Sequence, residues 1–213
     1  LACCLEVMRS LKEDKAAFKR DVIMAATVDE ETGSKKGIIP LLEKGVLKPK
    51  VAIILDADEA NAIIAQKGLI HSRVQIFGRK AHGAYNWQGV NAIELAAEVI
   101  QEIKQHKFKF TRHPLLRPPT TNIGVIKGGD KVNMVADFCE FALDLRYLPG
   151  MKPETVLHDI KAVIRRVTKN FKLVIDDLQL PYEISAQHPL VATYIQSAKK
   201  VGMRCDIKAS EGA

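Results

Sequence analysis

The stretch from Ala136 to Leu148 constrains the fold more than any other. Cys139, Phe141, Leu143 and Leu145 alternate there with Glu140, Asp144 and Arg146. A period of two held that long places one row of side chains inward and the other outward, which predicts a half-exposed strand. The same period runs through Ile70, Ser72, Val74 and Ile76, which alternate with His71, Arg73, Gln75 and Phe77. Between these strands, residues 90–105 place Ile93, Ala96, Ala97, Ile100 and Ile103 on one helical stripe. A Pro-rich loop, Pro114 to Pro119, leads to a strand around Thr121 to Ile126, and Lys127-Gly128-Gly129-Asp130 is a turn signal. Pro153-Glu154 opens a helix carrying Val156, Ile160, Val163, Ile164 and Val167, and Phe171 to Ile175 is a closing strand. The order from residue 68 to about 178 is strand, helix, strand, strand, helix, strand, the split βαβ arrangement of a ferredoxin-like sandwich.

The flanking segments have a different grammar. Residues 1–18 read as a helix, and Asp21 to Val28 (DVIMAATV) is a nearly unbroken apolar run of strand length, as expected of a strand buried on both faces. Three carboxylates follow it, Asp29, Glu30 and Glu31. Residues 35–46 supply a short crossover helix, and Val51 to Leu55 (VAIIL) is a second buried strand that again ends in acids, Asp56, Asp58 and Glu59. Parallel strands in one sheet would bring both acidic clusters out on the rim where open α/β sheets bind ligands. Residues 179–213, with a helix near Leu190 to Val201, return to this first domain. The expected fold class is therefore α/β: a mostly parallel domain, incomplete in this chain (1–67 and 179–213), interrupted by a ferredoxin-like α+β (βαββαβ) domain at 68–178.

The chain carries a formal charge of +7, so a knot of acids in it calls for a cause. Clustered carboxylates raise one another's pKa unless a cation neutralises them, which points to a bound divalent metal. Two adjacent glutamates can then divide the work, one ligating and the other taking a proton from metal-bound water. The competing reading is an exposed acidic turn entering a helix, capped by Thr32 or Ser34. Lys161, Arg165, Arg166, Lys169 and Lys172 form the densest basic cluster, spaced as a solvated helix face. With no glycine-aromatic ribonucleoprotein motif on the strands, no nucleic-acid partner is expected. Four cysteines without CxxC spacing fit a reducing cytosol. No apolar run approaches the roughly 18 residues of a membrane span, so no membrane partner is expected either.

Four segments, in order, resemble the metal-dependent amidohydrolase and peptidase family of acetylornithine deacetylase, succinyl-diaminopimelate desuccinylase, aminoacylase and carboxypeptidase G. They are VDEETGSKKG at 28–37, DADEANAIIAQKG at 56–68, GRKAHGAYNWQGVNAI at 78–93 and NMVADFCEFALDLRYLPG at 133–150. The resemblance implies a catalytic domain with an inserted dimerisation or lid domain, and a cytoplasmic homodimer that hydrolyses the amide of an N-acyl amino acid or short peptide. It implies two divalent ions, zinc first, with cobalt or manganese possible. Glu30 would be the general base, Glu31 a ligand of one metal and Asp56 a ligand of the other. Many members carry Gly-Glu-Pro-Thr where this chain has Leu55-Asp56-Ala57-Asp58, which leaves Asp58 or Glu59 as substitutes. His82 would cross a dimer interface to donate to the oxyanion of the neighbouring site. Asn133 would contact substrate, with Ala136 where proline is common. Arg146 would hold the substrate carboxylate; alternatively Asp144, on the same strand face, simply pairs with it. Gly89 and Asn91 shape a helix start.

The family pattern also has a His-x-Asp, a bridging aspartate and a C-terminal histidine ligand, none of which this sequence contains. Two ligands are too few to close a tetrahedral site. The expectation is that these 213 residues alone bind metal weakly and hydrolyse nothing, and that the longer parent chain is the enzyme. A non-catalytic ferredoxin-like dimerisation or ligand-binding module is the alternative.

Overall fold

A computed structural model describes residues 2–14, 21–56 and 60–212. The chain divides into two compact units, Leu1–Leu55 and Asp56–Ala213, and the described residues form seven strands and five α-helices.

In the first unit, α1 (Ala2–Glu13) is followed from residue 21 by chain without regular secondary structure, a 3₁₀ turn at Glu30–Thr32 and α2 (Ile38–Glu43). The expected strands at Asp21 to Val28 and Val51 to Leu55 do not form. Neither segment enters a ladder among the described residues. Ile23 is 65% exposed and Ile54 80%. An apolar run becomes a doubly buried strand only when neighbouring strands and covering helices take up its backbone groups and side chains. These runs have the composition without the neighbours.

The second unit contains two sheets. The smaller has the order β6-β1-β7, with β1 (Ala62–Gln66) parallel to β7 (Ile207–Ser210) and antiparallel to β6 (Tyr182–Glu183). The larger is built from β2 (Gly68–Phe77), β3 (Thr120–Gly128), β4 (Phe138–Tyr147) and β5 (Phe171–Gln179), in the order β3-β4-β2-β5 with every pair antiparallel. With α3 (Ala92–Gln105) after β2 and α4 (Pro153–Val167) after β4, this is the expected split βαβ sandwich. Strand β1 runs directly into β2, and β5 runs out to β6, which pairs with β1. The ferredoxin-like domain is thus an insertion between strands of one small sheet, whose other members are β6 and β7. Helix α5 (Pro189–Lys200) precedes β7.

The alternating strands carry the core. Ile70, Val74 and Ile76 of β2 and Cys139, Phe141, Leu143 and Leu145 of β4 are all buried, in one cluster with Ala96, Val99 and Ile103 of α3 and Val156, Ile160, Val163 and Ile164 of α4. Burial pushes the Cys139 thiol pKa up, so this cysteine is an inert small hydrophobe. Helix α3 is turned slightly from the expected stripe, for Ala92 and Val99 are buried and Ile93 is 40% exposed. At the helix N-terminus the Ala92 N–H donates to the Ala136 carbonyl at 2.8 Å, consistent with Ala92 facing inward.

Candidate functional site

In the first unit, Asp29 is committed to the backbone of its own loop. It sits at φ 67, a left-handed conformation that Asp tolerates better than most residues. Its carboxylate accepts the Lys36 N–H at 2.8 Å and its carbonyl accepts the Ser34 N–H at 2.6 Å. Gly33, at φ 92, closes the turn by donating to the Glu30 carbonyl. Gly37 is buried against the Val28 carbonyl, whose oxygen would lie 2.0 Å from a Cβ there, so the close approach requires glycine. The acidic triplet therefore divides: one carboxylate shapes the loop, while Glu30 and Glu31 are exposed on a 3₁₀ turn.

Asp56 is exposed and opens the second unit. Asp58 and Glu59 lie outside the described residues. Among the described residues, no group of three or more histidines, cysteines or carboxylates is gathered as a metal site requires. Glu31 and Asp56 each have the oxygen chemistry a divalent ion accepts, but neither belongs to a group of three such donors among the described residues, fewer than a closed donor set needs.

His82 and Asn133 are brought together. His82 caps a 3₁₀ turn at Gly83–Gln88, its Nδ1 accepting the Ala84 N–H at 3.1 Å. In the neutral imidazole this places the proton on Nε2, leaving an outward donor on an exposed ring. His82 bridges Met134, the Gly83 N–H donates to the Asn133 carbonyl at 2.8 Å, and the Val135 N–H donates to the Ala81 carbonyl at 2.9 Å. Next to this pairing, Arg79 bridges Val90, and its Nε donates to the Gln88 carbonyl. Asn91 caps α3 by accepting the Ile93 N–H, the helix-start role expected of it. Tyr85 and Trp87 pack edge to face on the turn, with ring centroids 5.6 Å apart.

Arg146 is elsewhere. It lies near the end of β4, and Asn133 precedes the start of that strand. Strand rise alone separates Phe138 from Arg146 by about 26 Å, so one chain does not join His82 and Arg146 in a single site. Asp144 grips the guanidinium, accepting from Nε at 2.8 Å and from Nη2 at 3.3 Å. Nη1 is buried without a hydrogen-bond partner among the described residues.

Nothing in its sequence context singles out Lys67. Its side chain is 1% exposed, and Nζ donates to the Pro118 carbonyl and pairs with Glu211, each at 2.7 Å. The neighbouring Arg117 N–H reaches the other Glu211 oxygen at 2.9 Å. A lysine after an apolar run looks like a strand-end charge, and its partners lie 51 and 144 positions away.

A four-stranded antiparallel sheet under two helices, inserted between strands of a second sheet, defines a ferredoxin-like inserted domain. Residues 64–172, just over half of the chain, match the peptidase dimerisation domain, and the chain belongs to that family, part of the metal-dependent amidohydrolases and peptidases that its motifs resemble. Among solved structures, aminopeptidase PepT from Bacillus cereus is 22% identical, with a TM-score of 0.74 over 98% of this chain and 55% of its own. A tripeptidase from Staphylococcus aureus is 23% identical, with a TM-score of 0.71 over 100% of this chain and 56% of its own. An amidase of the hydantoinase/carbamoylase family from Burkholderia vietnamiensis is 16% identical, with a TM-score of 0.53 over 73% of this chain and 38% of its own. The chain spans little more than half the length of the two peptidases, and at these identities the likeness is one of fold.

Proposed function

We propose that the full-length protein is a metal-dependent hydrolase of amide bonds in N-acyl amino acids or short peptides, working as a cytoplasmic homodimer. The layout is a catalytic domain of residues 1–67 and 179–213 around a dimerisation domain of residues 68–178. In this reading Glu30 is the general base, Glu31 and Asp56 contribute to a site for divalent ions, zinc foremost and cobalt or manganese otherwise, and Arg146 receives the substrate carboxylate. A bound ion would supply Lewis-acid chemistry.

One observation supports the shared site best. His82 and Asn133 form one unit at one end of the four-stranded sheet, while Arg146 lies about 26 Å along β4. A catalytic centre that needs both ends must take them from two chains. Strand β3, which among the described residues pairs with β4 alone, leaves one edge open for a second copy, with Val125 51% and Ile126 50% exposed. His82 Nε2 then serves the neighbouring subunit's oxyanion as a preorganised donor, and Asn133 contacts the substrate.

The test is metal content and turnover of tripeptides and N-acetyl amino acids by the full-length protein, with Glu30→Gln beside it. Expected are bound metal in both proteins and turnover lost in the variant by at least about 10²-fold. Metal-free protein that cleaves nothing would leave the non-catalytic dimerisation or ligand-binding module as the reading. Unchanged activity in Glu30→Gln would remove Glu30 from the chemistry.

A further inference from the structure

We propose that residues 113–118 are a strap: they reach out of the inserted domain, fasten to the small sheet β6-β1-β7 and hold the two in one orientation, which release of the strap would free. Only its consequence for turnover rests on the reading of His82 and Arg146 given above.

The inserted domain and the small sheet are joined by two short links. Strand β1 passes into β2 through Lys67 alone, and β5 passes into β6 through Leu180 and Pro181. The links lie side by side, since Gln66 pairs with Tyr182 on one side of them and Leu69 with Gln179 on the other. Two adjacent links of this kind make a hinge unless something else spans them. The chain from 106 to 119, between α3 and β3, has neither helix nor strand. Connections of that length in a compact domain are uncommon and usually have a task. A loop that merely covered its own domain would satisfy its polar groups there; these reach across the joint instead.

Three fastenings hold the strap. At its start, His113 Nδ1 accepts the Leu115 and Leu116 N–H groups at 3.1 and 3.0 Å, which puts the ring proton on Nε2, and Nε2 donates to Glu183 of β6 at 3.2 Å. In its middle, Leu116 is buried in one cluster with Ala65 of β1, against which Ala209 of β7 packs. At its end, the Arg117 N–H donates to one oxygen of Glu211, just past β7, while Lys67 Nζ pairs with the other and donates to the Pro118 carbonyl. Lys67 is itself one of the two links, so this last fastening ties the strap to the joint. Swinging the inserted domain would pull the buried ammonium from both acceptors, a costly step. Strands β6 and β7 flank β1, so the first and last fastenings stand about 10 Å apart across the sheet and oppose rotation as a single contact would not.

The experiment uses the full-length protein with its exposed native thiols replaced and nitroxide labels at Lys161→Cys on α4 and Lys199→Cys on α5, both exposed positions. Dilution with unlabelled protein leaves only the distance within one chain. Dipolar spectroscopy should give one narrow distance while the strap is intact. Glu183→Ala combined with Glu211→Ala should broaden the distribution by at least about twofold, with amide hydrogen exchange in β2 and β4 at the wild-type rate. Glu183→Gln, which keeps an acceptor for His113 Nε2, should leave the distance narrow. If the double variant does not fold, Glu183→Ala alone must broaden the distance, since it removes only a half-exposed carboxylate. A folded variant as narrow as its parent overturns the strap, and so does a broad distance with the strap intact. Faster exchange throughout β2 and β4 also overturns it, because general loosening gives that pattern. On tripeptides or N-acetyl amino acids, kcat of the broadened variant should fall about tenfold as His82 and Arg146 lose their fixed placement. Broadening with kcat unchanged supports the strap and overturns its bearing on turnover.

Discussion

Lys67 Nζ lies 2.7 Å from the Glu211 carboxylate, joining the β1–β2 junction to the end of β7 across 144 positions of sequence. The lysine is buried and Glu211 is 48% exposed. Burial pushes the Glu211 pKa up, but the Arg117 N–H bond and Lys67 together outweigh it and hold the carboxyl below its ordinary value. A carboxylate depressed in the folded state stabilises it above the unfolded pKa, and that stability is lost as the pH falls through the folded value. Glu211→Gln should therefore destabilise the fold by about 1–2 kcal/mol near pH 7, discounted for the exposure of Glu211. The difference from wild type should shrink below about pH 4.5. Urea unfolding at the two pH values checks this, and a gap of constant size would show that Glu211 contributes through something other than its charge.

That pair also marks where the sequence ceases to be legible. The ferredoxin-like domain could be read because its evidence is local: the alternation at Cys139, Phe141, Leu143 and Leu145 and the Pro153 helix start each lie within one element. Strand β1 was missed because Ala62–Gln66 is short and only partly buried, and because its parallel partner begins at Ile207. The runs at Asp21 to Val28 and Val51 to Leu55 failed in the opposite sense, since strand composition does not supply ladder partners. At the site, only its surrounding motif singles out His82 in the sequence, whereas the division of the acidic triplet rests on the backbone bonds of Asp29, which no spacing rule reveals.

Gly78 supports the His82 loop from below. A Cβ there would lie 2.1 Å from the Val90 carbonyl oxygen and 3.0 Å from that of Ala136. Both are backbone atoms, and the first belongs to the Arg79–Val90 bridge. Gly78→Ala should cost about 2–4 kcal/mol and shift the loop bearing His82. Thermal unfolding measures the first effect and kcat the second. A variant as stable as wild type would mean that the bridge yields without loss.

Separation of His82 from Arg146 leads to a mixing experiment. His82→Ala and Arg146→Ala homodimers should each be poorly active in the full-length protein. If each centre takes Arg146 from its own chain and His82 from the other, a heterodimer of the two variants has one intact centre and one doubly defective centre. Random reassociation of equal amounts should then restore about a quarter of wild-type activity. No recovery, with heterodimers demonstrated by mass, would refute the shared centre, as would a fully active monomer.

Metal binding by the 213 residues themselves should be weak. Glu30 and Glu31 are exposed on one turn in the first unit, Asp56 opens the second, and among the described residues no third donor joins either position. Two carboxylates exchange water for an ion with little net gain, and structural zinc sites close with four donors. The chain as it stands should bind zinc no tighter than about 10⁻⁴ M, a weak carboxylate-site range, and should cleave neither tripeptides nor N-acetyl amino acids. Equilibrium dialysis with zinc and an amine-release assay measure the two halves. Submicromolar binding abolished by Glu31→Gln would show that the donors are already assembled within these residues, and turnover lost with Glu30→Gln would place the whole centre there.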